Sequence, residues 1–165
     1  MTKEELKQLI MQQFENQNCK PNHVIPMRFW RNAFWSSLNP KEQDMFVDTV
    51  NELIEEKKIR YEQEGLESLR LTEIGYNNLY HNSKSSADIE EDIMDMFRRG
   101  NYKVGQVIMM RAIMNAYYNS LNPKEQGLFV PAINNLIDKR YIYYLENSPE
   151  ALRLEQAGYD YIYKC

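Results

Sequence analysis

The sequence aligns with itself without a gap when it is shifted by 83 positions. Both halves contain an identical heptapeptide, Ser-Leu-Asn-Pro-Lys-Glu-Gln, at residues 37–43 and 120–126. Solenoid repeats have shorter periods, of roughly 20–50 residues, so this period indicates a duplicated domain. We expect the two domains to span residues 1–82 and 83–165.

The heptapeptide has the composition of a helix start. Asn39 is a favourable N-cap residue, and Pro40 suits the first helical position, where the missing N–H costs nothing. Glu42 completes a capping box and places a carboxylate at the positive end of the helix dipole. The motif therefore predicts a capped helix in each copy, the second one beginning with Asn122, Pro123 and Glu125.

Hydrophobic periodicity predicts the order helix, short strand, helix, helix, β-hairpin, helix in each domain. In domain 1 the helices are expected at about residues 3–16, 28–37, 40–58 and 73–80, and the strands at about 24–27, 59–64 and 68–72. The first strand is too brief to predict more than one ladder pair. In domain 2, Pro131 lies inside the third helix and should kink or split it. The hairpin turn there contains Ser148 and Pro149.

This order of elements, about 80 residues long and present twice, resembles the winged-helix domain. The resemblance lies in the capped third helix, the strand start at residues 58–61 and the ending Leu-Arg-Leu-Thr-Glu-Ile-Gly at 69–75. That ending is similar to the close of many bacterial winged-helix regulators. The second copy keeps the leucines and the glycine but has Glu155 in place of threonine. The resemblance implies a mainly α, α+β fold of two tandem winged-helix repeats, packed as a pseudo-dimer within one chain.

In the winged-helix family the third helix usually enters the DNA major groove and the hairpin wing contacts the backbone. The resemblance therefore implies contact residues on the third helix of each copy. In the second copy it also implies contact residues immediately after that helix. Glutamine and asparagine can read adenine edges, and lysine can reach guanine or phosphate. The candidates for binding a partner or nucleic acid are Lys41, Gln43, Asp48, Lys124, Gln126, Asn134, Lys139 and Arg140.

The charges argue against DNA binding, most clearly in domain 1. Its predicted third helix carries six carboxylates against three lysines, and its hairpin adds Glu62, Glu64 and Glu67. Duplex DNA presents one negative charge per about 1.7 Å, so an acidic helix and wing would be repelled. The net charge of −4 gives no general attraction to nucleic acid either. Domain 2 is closer to neutral and is the better candidate if either domain binds DNA.

Aromatic residues supply a second set of candidates. Trp30 and Phe34 can both point into the core from the second helix, whereas Trp35 cannot share that direction cleanly. Trp35 and its counterpart Tyr118 are therefore candidates for core packing, for the interface between repeats or for a partner site. Strand alternation sends Tyr143 and Tyr144 to opposite faces of the second hairpin, so one of those faces should be partly exposed.

Other functional classes lack support in the sequence. No phosphate loop, nucleophile elbow or Walker pattern occurs, and Cys19 and His23 have no second pair of metal ligands. We therefore expect no catalysis, no cofactor, no metal and no small-molecule substrate. Short apolar runs, an acidic amino terminus and only two cysteines, Cys19 and Cys165, predict a cytoplasmic protein without a membrane span or a disulfide framework.

Two functions stay open. The first is a regulatory or scaffold module that binds a protein partner through its acidic third helix and aromatic faces. The second is a DNA-binding transcriptional regulator in which the duplication takes the place of a homodimer. The acidic third helix and the surplus of tyrosines favour the first hypothesis.

Overall fold

The computed structural model describes residues 1–147 and 149–164. The chain forms two compact units, Met1–His81 (unit 1) and Asn82–Cys165 (unit 2). Each unit combines helices with a three-stranded antiparallel sheet, so the fold class is α+β. Two residues named in the predictions, Ser148 of the hairpin turn and Cys165, lie outside the described residues.

Unit 1 begins with helix α1 (Lys3–Asn16), strand β1 (Val24–Pro26) and helix α2 (Met27–Phe29). The helical path continues through a π-helical stretch (Trp30–Phe34) and a 3₁₀ turn (Trp35–Ser37), where one helix over 28–37 was predicted. The unit is completed by α3 (Pro40–Glu55), β2 (Ile59–Glu62), β3 (Ser68–Leu71) and α4 (Glu73–Leu79).

Unit 2 repeats this order. Its first half comprises α5 (Ser86–Arg99), β4 (Val107–Met109), α6 (Met110–Ala116) and a 3₁₀ turn (Tyr118–Ser120). Its second half comprises α7 (Pro123–Asp138), β5 (Ile142–Leu145), β6 (Ala151–Leu154) and α8 (Gln156–Ile162).

The last strand of each unit lies in the middle of its sheet, in the orders β1-β3-β2 and β4-β6-β5. Strand β1 pairs with β3 over three residues, with Ile25 opposite Leu69. The prediction of a single ladder pair is therefore wrong. Both side chains of that central pair are fully buried, so core packing holds a strand that is too short to be stable alone.

The core of unit 1 is centred on Trp30, which is fully buried. Its indole N–H donates to the carbonyl oxygen of Ile25 at 3.3 Å, which satisfies the ring's polar group. The rings of Phe14 and Phe34 lie 5.8 and 5.1 Å from the Trp30 ring. Trp30 and Phe34 thus point inward together, as predicted. The corresponding core of unit 2 has no tryptophan, and Ile113 occupies the position equivalent to Trp30.

The predicted end of α3 is wrong, and one of the two outcomes expected at Pro131, a split helix, does not occur. Helix α3 ends at Glu55, earlier than predicted, because Lys57 has a φ of 60°, where a right-handed helix cannot continue. Helix α7 is not split, since it runs through Pro131 to Asp138. Gly127, whose carbonyl lacks an N–H partner at Pro131, is exposed to solvent, and the helix is held by the buried side chains of Phe129, Ala132, Ile133 and Leu136.

The glycine near the end of each unit is required by a close backbone approach. A Cβ atom at Gly75 would lie 2.0 Å from the carbonyl oxygen of Lys58, and one at Gly158 would lie 2.1 Å from that of Tyr141. These contacts bring α4 and α8 against the start of the hairpin. The glycines of the repeated ending therefore serve packing.

We predict that Gly158→Ala and Gly127→Ala have opposite effects on stability, although both replace a helical glycine of unit 2. Gly158→Ala forces α8 away from Tyr141 and should lower the free energy of unfolding by about 1–3 kcal/mol. Gly127 has open space around its Cβ position, so Gly127→Ala should raise it by about 0.5–1 kcal/mol. Chemical denaturation followed by far-UV circular dichroism measures both. Changes of the same sign would contradict the prediction.

Candidate functional site

The repeated heptapeptide satisfies its own backbone. The Asn39 side chain accepts from the N–H of Glu42 at 3.1 Å, and the Glu42 carboxylate accepts from the N–H of Asn39 at 3.0 Å. The side-chain amide of Gln43 donates to the carbonyl oxygens of Trp35 and Leu38 at 3.1 and 3.0 Å. In unit 2, the amide of Gln126 donates to the carbonyl oxygen of Tyr118 at 3.3 Å. Gln43 and Gln126 thus fix the turn that precedes each third helix.

The remaining candidates of unit 1 lie on the outer face of α3. Lys41 and Asp48 are both exposed, and two further exposed carboxylates, Asp44 and Glu55, lie on the same helix. This face is therefore predominantly acidic.

Two basic candidates of unit 2 have structural roles within the unit. One forms an ion pair, and the other lies where α7 ends. The ammonium of Lys139 lies 2.8 Å from the carboxylate of Glu90 on α5, and this hydrogen bond raises the pKa of Lys139. Arg140 is exposed and has a φ of 61° at the point where α7 ends. The third basic candidate, Lys124, is half-buried in the first turn of α7.

The aromatic candidates divide into two groups. Trp35 packs edge-to-face on Phe46 with ring centres 5.6 Å apart, and Tyr118 packs likewise on Phe129 at 5.1 Å. Both extend a core. Tyr143 instead faces solvent with 52% of its surface exposed, and its ring lies 4.8 Å from the guanidinium carbon of Arg153.

An apolar groove of about 370 Å³ lies on unit 2 between α6, α7 and β5. It brings together three of the predicted candidates, Tyr118, Asn134 and Tyr144. The rest of its lining includes Met110 and Met114 from α6 and Val130 and Ile133 from α7. Methionine is a flexible and polarisable side chain that adapts to irregular apolar surfaces. The groove is thus suited to hold the apolar side chains of a binding partner.

Sequence reasoning missed Met110, Met114 and Val130, although a comparison of the two halves contains a signal for them. Gly127 and Pro131 stand on α7 where α3 has the exposed carboxylates of Asp44 and Asp48. The outer face of α7 has thereby lost the acidic character of its counterpart. Val130 shows 61% of its surface there.

One carboxylate lies at the hairpin end of the groove. The carbonyl oxygen of Glu150 accepts from the N–H of Met110 at 2.9 Å, and its carboxylate acts on the pKa of Tyr144. Desolvation raises the pKa of Tyr144, and the carboxylates of Glu150 and Glu146 raise it further. The rim of the groove is therefore acidic at this end.

A larger cleft of about 540 Å³ on unit 1, beside α1, has a different character because charged side chains line it. Lys7 lies 2.9 Å from Glu52 and 2.6 Å from Glu56, and Lys58 lies 2.7 Å from Glu56. Hydrogen bonds from Lys58 and Lys7 lower the pKa of Glu56. The two lysines that line the cleft are thus already paired within the unit, so the cleft is a weaker candidate than the groove.

Comparison of the chain with protein-family models, with curated proteins and with solved structures found no match. Among residues 1–147 and 149–164, none of the helices has the length and apolar character needed to cross a membrane. The same residues contain no group of three His, Cys, Asp or Glu side chains placed to hold a metal ion. Function is therefore inferred from the groove itself.

We predict that Gln43→Ala lowers the stability of unit 1 and that Lys41→Ala does not. The first change removes the side-chain donor to the carbonyl of Leu38 and one of the two donors to that of Trp35, which keeps the N–H of Leu38, and should cost about 1–2 kcal/mol. The second removes an exposed side chain and should change the free energy of unfolding by less than about 0.5 kcal/mol. Both tryptophans lie in unit 1, so urea unfolding followed by tryptophan fluorescence measures the difference. Equal changes in the free energy of unfolding would argue against the role of Gln43 in fixing the turn before α3.

Proposed function

We propose that this protein is a non-enzymatic, cytoplasmic tandem winged-helix module that binds a protein partner through the groove of unit 2. The winged-helix assignment is supported by the order of elements in each unit and by the central position of the last strand. In that family the third helix and the hairpin wing form the contact surface. The groove lies between their counterparts, α7 and β5.

The observation that carries the proposal is the exposed apolar lining of this groove. Burial of apolar surface is the main source of affinity between proteins, at about 25 cal/mol per Å². A groove between helices that displays Val130 and two methionines is typical of surfaces that receive the apolar face of a partner segment. The acidic third helix of unit 1, on which the sequence-based hypothesis relied, then becomes a secondary surface.

DNA binding is the second candidate, and Lys124 and Arg140 favour it. Opposing it, the α7 face that would enter the major groove carries Gly127, Val130 and Pro131, none of which is charged. The hairpin that would meet the phosphate backbone carries Glu146 and Glu150. Lys139 is already paired within the unit. Protein recognition therefore accounts for more of this surface than phosphate recognition does.

We predict that the purified chain does not bind a mixed-sequence DNA duplex at low or moderate salt, as measured by fluorescence anisotropy. Lys124→Ala should leave this result unchanged. Binding that weakens as salt is added, and weakens again in Lys124→Ala, would instead make the protein a DNA-binding regulator, because loss of a phosphate contact reduces both affinity and its salt dependence.

We predict that 12-residue peptides selected by phage display on the full chain bind the groove of unit 2. Val130→Glu should weaken their binding tenfold or more, because an unpaired carboxylate buried under the peptide costs at least about 1.4 kcal/mol. Peptide affinities for each variant can be measured by fluorescence anisotropy. In NMR spectra of methionine methyl groups, peptide addition should shift the signals of Met110 and Met114.

Val47→Glu is the matched control. Val47 occupies the equivalent position on α3 and is 59% exposed, so this variant tests the same change outside the groove. It should leave peptide binding unchanged. Peptides that lose affinity for Val47→Glu but keep it for Val130→Glu would move the binding surface to unit 1 and refute the proposal.

A further inference from the structure

Glu67 of unit 1 and Glu150 of unit 2 occupy equivalent positions in the two units. The carbonyl oxygen of Glu67 accepts from the N–H of Met27 at 2.8 Å, as that of Glu150 does from Met110 at 2.9 Å. The carboxylate of Glu67 also accepts from the hydroxyl of Tyr61 on the neighbouring strand, and the carboxylate of Glu150 contributes to raising the pKa of the equivalent Tyr144. The backbone therefore holds the two residues alike.

The two positions differ in whether a cation lies beside the carboxylate. In unit 1, the guanidinium of Arg31 lies 2.9 Å from the carboxylate of Glu67 and joins the helical segment after α2 to the hairpin. The equivalent residue of unit 2 is Met114, which lines the groove. Among the described residues of unit 2, no lysine or arginine forms an ion pair with Glu150.

Two other ion pairs of unit 1 have changed on both sides in unit 2. Lys7 and Glu56, 2.6 Å apart, correspond to Glu90 and Lys139, 2.8 Å apart, with the charges exchanged. Lys3 and Glu52 form an ion pair of 2.7 Å, and their counterparts form a neutral hydrogen bond of 3.4 Å between Ser86 and Asn135. Both exchanges leave every charge paired or removed. The contact of Arg31 with Glu67, by contrast, has lost its cation and kept its carboxylate.

We propose that a partner protein supplies the missing cation. A segment of this partner packs apolar side chains on Met110, Met114 and Val130, and its arginine or lysine pairs with Glu150. The replacement of Arg31 by Met114 serves both contacts, since it adds apolar lining and leaves Glu150 for an incoming charge. Glu146, which also acts on Tyr144, adds to the negative potential at this end. This inference rests on the proposed function and specifies the chemistry of its partner.

The test uses the full chain and the 12-residue peptides selected on it. We expect the selected peptides to contain more arginine and lysine than aspartate and glutamate. Glu150→Gln should weaken their binding about two- to fivefold, as expected for loss of an ion pair at an exposed site. Replacing the basic residue of a peptide by glutamine should remove the effect of Glu150→Gln, so a double-mutant cycle reports the pairing itself.

A second variant, Met114→Arg, copies the arrangement of unit 1 into unit 2. It should weaken basic peptides tenfold or more, because the introduced guanidinium pairs with Glu150 and covers part of the groove. Unchanged circular dichroism spectra and unfolding midpoints of both variants would establish that they fold as the parent does. The exposed Glu150 and the half-buried Met114 are positions that tolerate such changes.

Each outcome separates this inference from the proposed function. Peptides that require Val130 but show no basic bias and ignore Glu150→Gln would overturn the inference and leave groove binding intact. Peptides that ignore Val130→Glu as well would overturn both. Concentration-dependent self-association of the chain that Val130→Glu abolishes would identify a second copy of this protein as the occupant and refute a separate partner.

Discussion

The beginning of a helix leaves backbone groups that no helical hydrogen bond satisfies, and both units depend on how the heptapeptide satisfies them. Asn39 and Glu42 exchange hydrogen bonds across the first turn of α3, and Gln43 reaches back to the turn before it. These hydrogen bonds fix the second helical segment of the unit against the third helix. In unit 2 the equivalent hydrogen bonds bring α6 beside α7, and the groove lies between these two helices. Heptapeptide residues that resemble a recognition surface in the sequence thus hold in place the helices between which the groove lies.

The order and starts of the helices could be predicted from the sequence because caps and apolar stripes are local. The bounds of α1 and the start of α3 at Pro40 are examples. Features that depend on distant packing were not predictable in this way. Strand β1 exists through Ile25 and its partner on β3, and α7 continues through Pro131 because its buried face holds it.

The candidate site was predicted only in part, for the same physical reason. Asn134, Tyr118 and Tyr144 were named for their chemistry, but their shared groove depends on the packing of three elements. The role of Gln43 also escaped, since an exposed-looking amide on a helix gives no sign of a carbonyl eight residues earlier. Among the described residues of unit 2, Glu150 lacks an ion-pair partner. This becomes visible only once the fold shows that residues 31 and 67 form an ion pair in unit 1.

In the proposed complex, affinity and selectivity come from different parts of the groove. An exposed ion pair contributes only about 0.2–1 kcal/mol, so Glu150 alone would not hold a partner. Apolar contact with Val130 and the methionines can provide the affinity, but it does not distinguish one apolar segment from another. When the groove is filled, Glu150 and the cation of the partner lose water together, and a segment with an acidic residue at that point is rejected. In the proposed complex, the apolar lining and the carboxylate of Glu150 at its rim therefore act as one recognition surface.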